Sequence, residues 1–264
     1  MSSIQQERLS ELDRVLDSVQ VTPDLSEELF ALVDLLDRQP ALRRALTDPG
    51  AEPQAREALL QALFGSRLSE AARTVLHAAV GQRSGSPSAL AASLERQGIR
   101  AALSSAQLAG TLDAVEDELF RFERLVAADP ELRAAISDRS APLDARQQLV
   151  DDLLRGRADA VTTFLAKRAV AARSKSFELT IGSYLTLAAA LRQRALAHVL
   201  VARPLTQEQH DRLAAVLGRQ LGRDVSLQVV VDPDVIGGVQ VTVGDEIIDG
   251  TIAGRLHDAH QQLG

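Results

Sequence analysis

The chain has no cysteine and no tryptophan, one methionine, one tyrosine and six phenylalanines in 264 residues. The lack of cysteine excludes disulfides, thiolate zinc sites and thiol nucleophiles, and it leaves histidine and carboxylates as the candidate metal ligands. No Phe, Tyr or Trp follows Tyr184, so the last third of the chain lacks the aromatic platforms on which nucleic-acid bases most often stack. Lysine is also scarce: Lys167 and Lys175 are the only two among 29 basic residues. No apolar run reaches the roughly 18 to 20 residues that cross a bilayer. The polar start MSSIQQERLSELDR has no signal-peptide character. Both features lead us to expect a cytosolic protein without direct membrane insertion.

What is present is the balance of a soluble globular protein, 45% hydrophobic and 25% charged, in a chain long enough for two or three domains. Asp and Glu total 36, for a net charge of -7, and the excess is spread along the chain, so no phosphate backbone is expected as a partner. Arg155, Arg157, Lys167, Arg168, Arg173 and Lys175 form the one basic concentration, which reads as a solvated helix face.

Leu- and Ala-rich periodicity predicts helices through residues 1–194, with starts at Thr22-Pro23, Ser86-Pro87 and Asp129-Pro130, where an N-cap residue precedes a proline suited to the first turn. Leu112, Val115, Leu119, Phe122 and Val126 share one helical face, as do Phe177, Ile181, Tyr184, Ala188 and Leu191. Residues 28–86 set against 118–176 without a gap give 20 identities in 59 positions, which points to duplication of one helical layout. Near residue 195 the period changes. A β-rich run over 195–202 precedes a capping box of Thr206 and Gln209, then a helix with Leu213, Leu217 and Leu221, then Val-rich strands over 225–231 and 235–243 joined by Asp232-Pro233-Asp234. Ile247 and Ile248 extend the sheet, and Thr251 opens a last helix to Leu263. The expected fold is multidomain and mostly α: tandem bundles over 1–90 and 91–194, followed by a small α/β domain over 195–264.

Candidate chemistry is thin. Asp232, Asp234, Asp245, Glu246 and Asp249 could be imagined as a hard-metal cluster, but their spacing fits no calcium loop and each sits at a turn between strands. Gly237-Gly238 followed by Gly244 lacks the Lys-Ser/Thr of a phosphate loop. His257 and His260 share a helix face, while His77, His198 and His210 stand apart from any nucleophile motif. No catalytic residue, cofactor or metal is expected.

The run Val231-Asp232-Pro233-Asp234-Val235-Ile236-Gly237-Gly238-Val239-Gln240-Val241-Thr242-Val243-Gly244-Asp245-Glu246-Ile247-Ile248-Asp249-Gly250-Thr251, ending in Gly254-Arg255-Leu256, resembles the signature of the ATP synthase δ subunit and oligomycin-sensitivity-conferring protein family. Within it Gly237, Gly238, Gly244, Asp245, Asp249 and Gly250 carry the likeness. Arg203-Pro204-Leu205-Thr206 and Leu112-Asp113-Ala114-Val115-Glu116 resemble further family segments, so the likeness spans about 92–264. The extra residues 1–90 resemble the longer actinobacterial form, and with no membrane-anchored segment here a separate b polypeptide is expected. The resemblance implies a non-catalytic stator subunit, one per ATP synthase complex. It would lie peripherally on the cytoplasmic face of the bacterial plasma membrane, its helical bundle gripping an α subunit N-terminal helix and its C-terminal domain the end of the b subunit. The implied groove lies on the first and fifth helices of the family-like copy, at Ile99, Leu103, Ala106, Val161, Phe164, Leu165 and Arg168. For the duplicate, a second docking bundle is the expectation. Two other readings are a helical-repeat adaptor unrelated to ATP synthase, and a metal hydrolase built on His257, His260 and the acidic turns.

Overall fold

The computed structural model describes residues 3–48, 50–65, 67–82, 86–172, 175–192, 195–221, 225–232, 238–243 and 246–249. Eleven helices come first: α1 (Ser3–Ser18), α2 (Pro23–Arg38), α3 (Pro40–Thr47), α4 (Pro53–Phe64), α5 (Glu70–Gly81), α6 (Pro87–Leu108), α7 (Leu112–Ala128), α8 (Pro130–Ser137), α9 (Leu143–Leu154), α10 (Ala160–Val170) and α11 (Phe177–Arg192). They are followed by β1 (Ala195–Val201), α12 (Gln207–Leu221), β2 (Val225–Val231), β3 (Val239–Val243) and β4 (Glu246–Asp249). The fold is the expected one, a mostly helical chain with a small α/β part at its end. Contacts divide it into two compact units, Met1–Gln97 with Gln193–Gly264, and Gly98–Arg192.

Proline and capping side chains start the helices. Asp129 accepts from the backbone N–H groups of Glu131 and Leu132 at the head of α8, and Ser86 Oγ accepts from Ala89 N at 3.2 Å at the head of α6. Thr22 departs from expectation. It precedes Pro23 but makes no side-chain cap, because the Leu25 N–H goes to its main-chain carbonyl at 3.2 Å instead. At the end of α6, Gly110 has φ +74°, and its N–H bonds to the Gln107 carbonyl while Thr111 N reaches Ala106 O at 2.8 Å. That paired closure needs a left-handed residue, which glycine adopts without a Cβ penalty.

The duplication is visible in the helices: α3, α4 and α5 begin at residues 40, 53 and 70, and α8, α9 and α10 at 130, 143 and 160. Their polar fastenings recur at the same spacing. The Glu28 carboxylate accepts from Ser69 N at 2.9 Å and Ser69 Oγ at 2.5 Å, holding the head of α5. Its mate Glu118 accepts from Asp159 N at 2.8 Å and Thr162 Oγ1 at 2.6 Å, holding the head of α10. Asp48 accepts from Gly50 N and Asp138 from Ser140 N, both at 2.9 Å, in the turns that lead to α4 and α9.

In the second unit the two apolar stripes expected from spacing are buried, and α7 packs on α11. Phe122 meets Phe177 edge to face, centroids 5.8 Å apart, a favoured aromatic geometry. In the first unit α1 packs on α5 and α2 on both α3 and α5, and Leu12, Leu16, Leu29 and Leu76 are fully buried. The sheet has the order β2-β1-β3-β4, with β1 and β2 parallel and the other pairs antiparallel. A parallel pair needs a crossover, and α12 supplies it. The alternating positions Ala197, Val199, Val201, Leu227 and Val241 form one buried face, packed with Leu217 and Leu213 of α12. Thr206 and Gln209 make the reciprocal capping box at its start, at 2.9 and 3.3 Å.

Removing Glu118 leaves the Asp159 N–H and the Thr162 hydroxyl without their acceptor. Glu118→Ala is therefore expected to lower unfolding stability by about 1–3 kcal/mol, measured by urea denaturation, with Glu28→Ala giving a loss of the same order. A change near zero for both would show that the carboxylates contribute nothing net.

Candidate docking surfaces

Helix α10 is fastened along its whole length. Glu118 of α7 holds its first turn, as described. Midway, Gln147 Nε2 of α9 donates to the Lys167 carbonyl at 3.1 Å, and the Lys167 ammonium lies 3.4 Å from the Asp151 carboxylate. At its end, Arg146 Nη1 donates to the carbonyls of Val170 (3.2 Å) and Ile136 (3.3 Å), tying α10 to the end of α8. Arg155 pairs with both Asp151 and Asp152 at 2.9 Å. The hydrogen bond from Arg155, and then that from Lys167, holds the Asp151 carboxyl below its ordinary range. The same bond raises the Arg155 guanidinium, and at Asp138 the Ser140 hydroxyl lowers the carboxyl. Two members of the basic concentration are thus matched by acids of α9.

These polar fastenings had a sequence signal. Glu28/Glu118, Asp48/Asp138 and Arg56/Arg146 are charged residues identical between the copies. The bond recurs in both copies for the Glu and the Asp pair.

The seven residues expected at a groove fall into two groups. Ile99, Leu103, Ala106 and Leu165 are buried, at 6%, 0%, 1% and 0% exposure. Val161, Phe164 and Arg168 are half-buried and, at i, i+3 and i+7 on α10, share one helix face. Ile99, Leu103 and Ala106 likewise share a face of α6 at i, i+4 and i+7.

Of the signature turns, Gly238 immediately precedes β3 with φ +88°, and Asp249 closes β4 opposite Gln240. Gly237, Gly244, Asp245 and Gly250 lie outside the described residues, as do Asp234, His257, His260, Arg173 and the expected last helix. His77 Nδ1 on α5 is 2.9 Å from the Glu57 carboxylate, His198 stands on β1 in register with Gln228 and Thr242, and His210 lies on α12. Among the described residues no group of His, Asp and Glu is placed to hold a metal ion, and no helix is long and apolar enough to cross a membrane.

The first unit contains a cavity of about 580 Å³ between the α1–α5 helices and the α12–β2 layer, lined by Val19, Ser69, Thr74, Pro204, His210 and Val230 among others. His210 is 6% exposed and neither ring nitrogen makes a hydrogen bond, with the Asp211 carboxylate 3.5 Å from Nδ1. Only neutral polar and apolar groups, one carboxylate (Glu70) and this imidazole face the space.

The fold defines a mostly helical protein that ends in a small α/β layer. The sequence profile of the ATP synthase delta (OSCP) subunit family matches residues 99–263, and the chain belongs to that family. The ATP synthase subunit delta of Streptomyces avermitilis is 44% identical over 254 residues, 96% of this chain and 93% of that one. The protein of the same name from Cutibacterium acnes is 40% identical over 254 residues, 96% and 97% of the two chains. These matches run through residues 1–90, so the extra helices are shared with full-length relatives. A chain in the cryo-EM structure of the Toxoplasma gondii mitochondrial ATP synthase hexamer aligns at 18% identity and a TM-score of 0.27, covering 62% of this chain and 94% of that chain, a likeness too weak to carry an argument.

The Asp151 shift has a definite sign. Its carboxyl is lowered on folding, so the stabilisation it gives is fully present above the ordinary carboxylate range and is lost as pH falls through the lowered value. Asp151→Asn should therefore have a lower urea midpoint than the wild type near pH 7, and the two midpoints should converge as pH falls through the lowered carboxyl value. A difference that grows with acidity would contradict the assignment.

Proposed function

We propose that this chain is a non-catalytic subunit of the peripheral stalk of an F-type ATP synthase, joining the catalytic head to the b stalk and so supporting proton-coupled ATP synthesis. The observation that carries this is family membership over 99–263 together with full-length relatives named ATP synthase subunit delta. An unrelated helical-repeat adaptor would leave the match through the C-terminal signature without cause. The partners in this reading are the N-terminal helix of an α subunit, taken by the bundle of residues 91–194, and the end of the b subunit, taken by residues 195–264. The protein sits peripherally on the cytoplasmic face of the membrane as a single copy in the complex.

The physical logic is helix-in-groove recognition. An amphipathic helix laid on the half-buried α10 face of Val161, Phe164 and Arg168 buries its apolar stripe, at about 25 cal/mol per Å², while Ile99, Leu103 and Ala106 of α6 are already buried. Phe164 and Arg168 belong to the residue types that dominate binding energy, with Val161 beside them. No group has to react or change protonation for the joint to hold. The fastenings of α10 support this reading, because a helix held at both ends and in its middle passes force to α7, α8 and α9 with little rotation of its own.

Adding the protein to stripped membranes and head complex is expected to restore proton-coupled ATP synthesis, and failure to do so would reject the stalk assignment. Phe164→Ala should weaken binding of a peptide spanning the α subunit N-terminal helix by roughly 10- to 100-fold, the scale of a lost aromatic anchor, measured by isothermal titration calorimetry. Unchanged affinity would remove Phe164 from the docking surface.

A further inference from the structure

We infer that this chain carries one groove for an α subunit helix and not two, because the counterpart groove in the first copy is trimmed of its anchors and walled by the chain's own C-terminal layer. The inference rests on the reading that the α10 face takes an amphipathic helix. It assigns the duplicated helices a different task, that of seating the α/β layer.

The ungapped offset of the repeat pairs the exposed α10 groove positions with positions in the first copy. Val161, Phe164 and Arg168 correspond to Ala71, Thr74 and Ala78. The aromatic ring, the guanidinium and the branched aliphatic on the docking face are therefore replaced by two methyl groups and a hydroxyl. That hydroxyl already donates to the Glu70 carbonyl of its own helix at 2.9 Å. Little apolar area remains for a partner helix to bury, and the residue types that act as binding hot spots are gone.

The α1 side of the first copy is polar as well. Asp13 is 8% exposed and is held by Arg96 at 2.7 Å and Gln97 at 2.8 Å. A buried carboxylate among hydrogen-bonding partners is a poor bed for an apolar stripe, since further desolvation of the ion pair costs more than the contact returns.

Space gives the third argument. Helices α1 and α5 pack on each other, and α1 also packs on β2. Ala71 and Thr74 line the 580 Å³ cavity, whose opposite wall is formed by Pro204, His210 and Val230 of the α/β layer. A partner helix laid on Ala71 and Thr74 would therefore meet Pro204, His210 and Val230 as well. An apolar helix forced into the cavity would also shut His210, both of whose nitrogens lack a hydrogen bond, further away from water.

The test is a calorimetric titration of the full chain with a synthetic peptide spanning the N-terminal helix of the α subunit. One equivalent of peptide is expected per chain. Phe164→Ala should reduce that affinity at least tenfold, whereas Thr74→Arg, which fills the counterpart position, should change neither affinity nor stoichiometry by more than twofold. Two equivalents on the wild type, or a tenfold loss with Thr74→Arg, would overturn the inference while leaving the stalk assignment standing. Absence of any peptide binding by the wild type would instead reject the docking reading itself, and this inference with it.

Discussion

Everything in the helical part depends on burial of one apolar stripe per short helix. The helices α2 to α5 and α7 to α11 run from 8 to 17 residues, near or below the length at which an isolated helix survives in water. Leucine fills most of the buried positions because it loses little rotamer freedom in a helix and removes a large apolar area from water. Once the stripes are paired, α7 against α11 and α1 against α5, the helix ends become the weak points. Polar side chains then settle the geometry: Glu28 and Glu118 at the heads of α5 and α10, Asp48 and Asp138 in the turns before α4 and α9. Each satisfies backbone groups that a helix start or turn leaves unpaired.

That arrangement explains how a chain with little apparent chemistry serves a mechanical role. A stalk subunit has to hold two partners at fixed separation under load, which asks for rigid faces and not for shifted acids or bases. Helix α10 meets the requirement through bonds to its first turn, middle and last turn from two different elements, α7 and α9. The ion pairs of Asp151 with Arg155 and Lys167 are exposed enough to be individually weak. The Lys167 pair helps set the register between α9 and α10.

Duplication produced two copies of one backbone and left their faces free to diverge. The bonds of Glu28 and Glu118 and of Asp48 and Asp138 are common to both. Outward positions differ, and there Phe164 stands opposite Thr74 and Arg168 opposite Ala78. The first copy now packs against the strand layer, and β2, a sheet edge that would otherwise be open to strand pairing, runs beside α1.

Periodicity and repeat identity alone determined the mostly helical class, the placement of the helices within a few residues, both stripes of the α7–α11 core, the capping box of α12 and the β2 strand. These are local properties, set by spacing along the chain and by the conformations that Pro, Gly, Ser and Asp favour. The resemblance carried by the 231–251 run pointed to the family that the comparisons show. Thr22 shows the limit even of local rules, because whether its hydroxyl or its carbonyl takes the Leu25 N–H depends on backbone geometry. Only the tertiary structure decided burial. Phe30 and Phe120 are the same residue at the same place in the repeat, yet one is 2% exposed and the other 51%. Burial belongs to whatever packs against a face, and that comes from elements distant in sequence. For the same reason the bonds of Glu118, 41 residues from Asp159, and the wall that Val230 presents to Thr74 could be read only once the chain was folded.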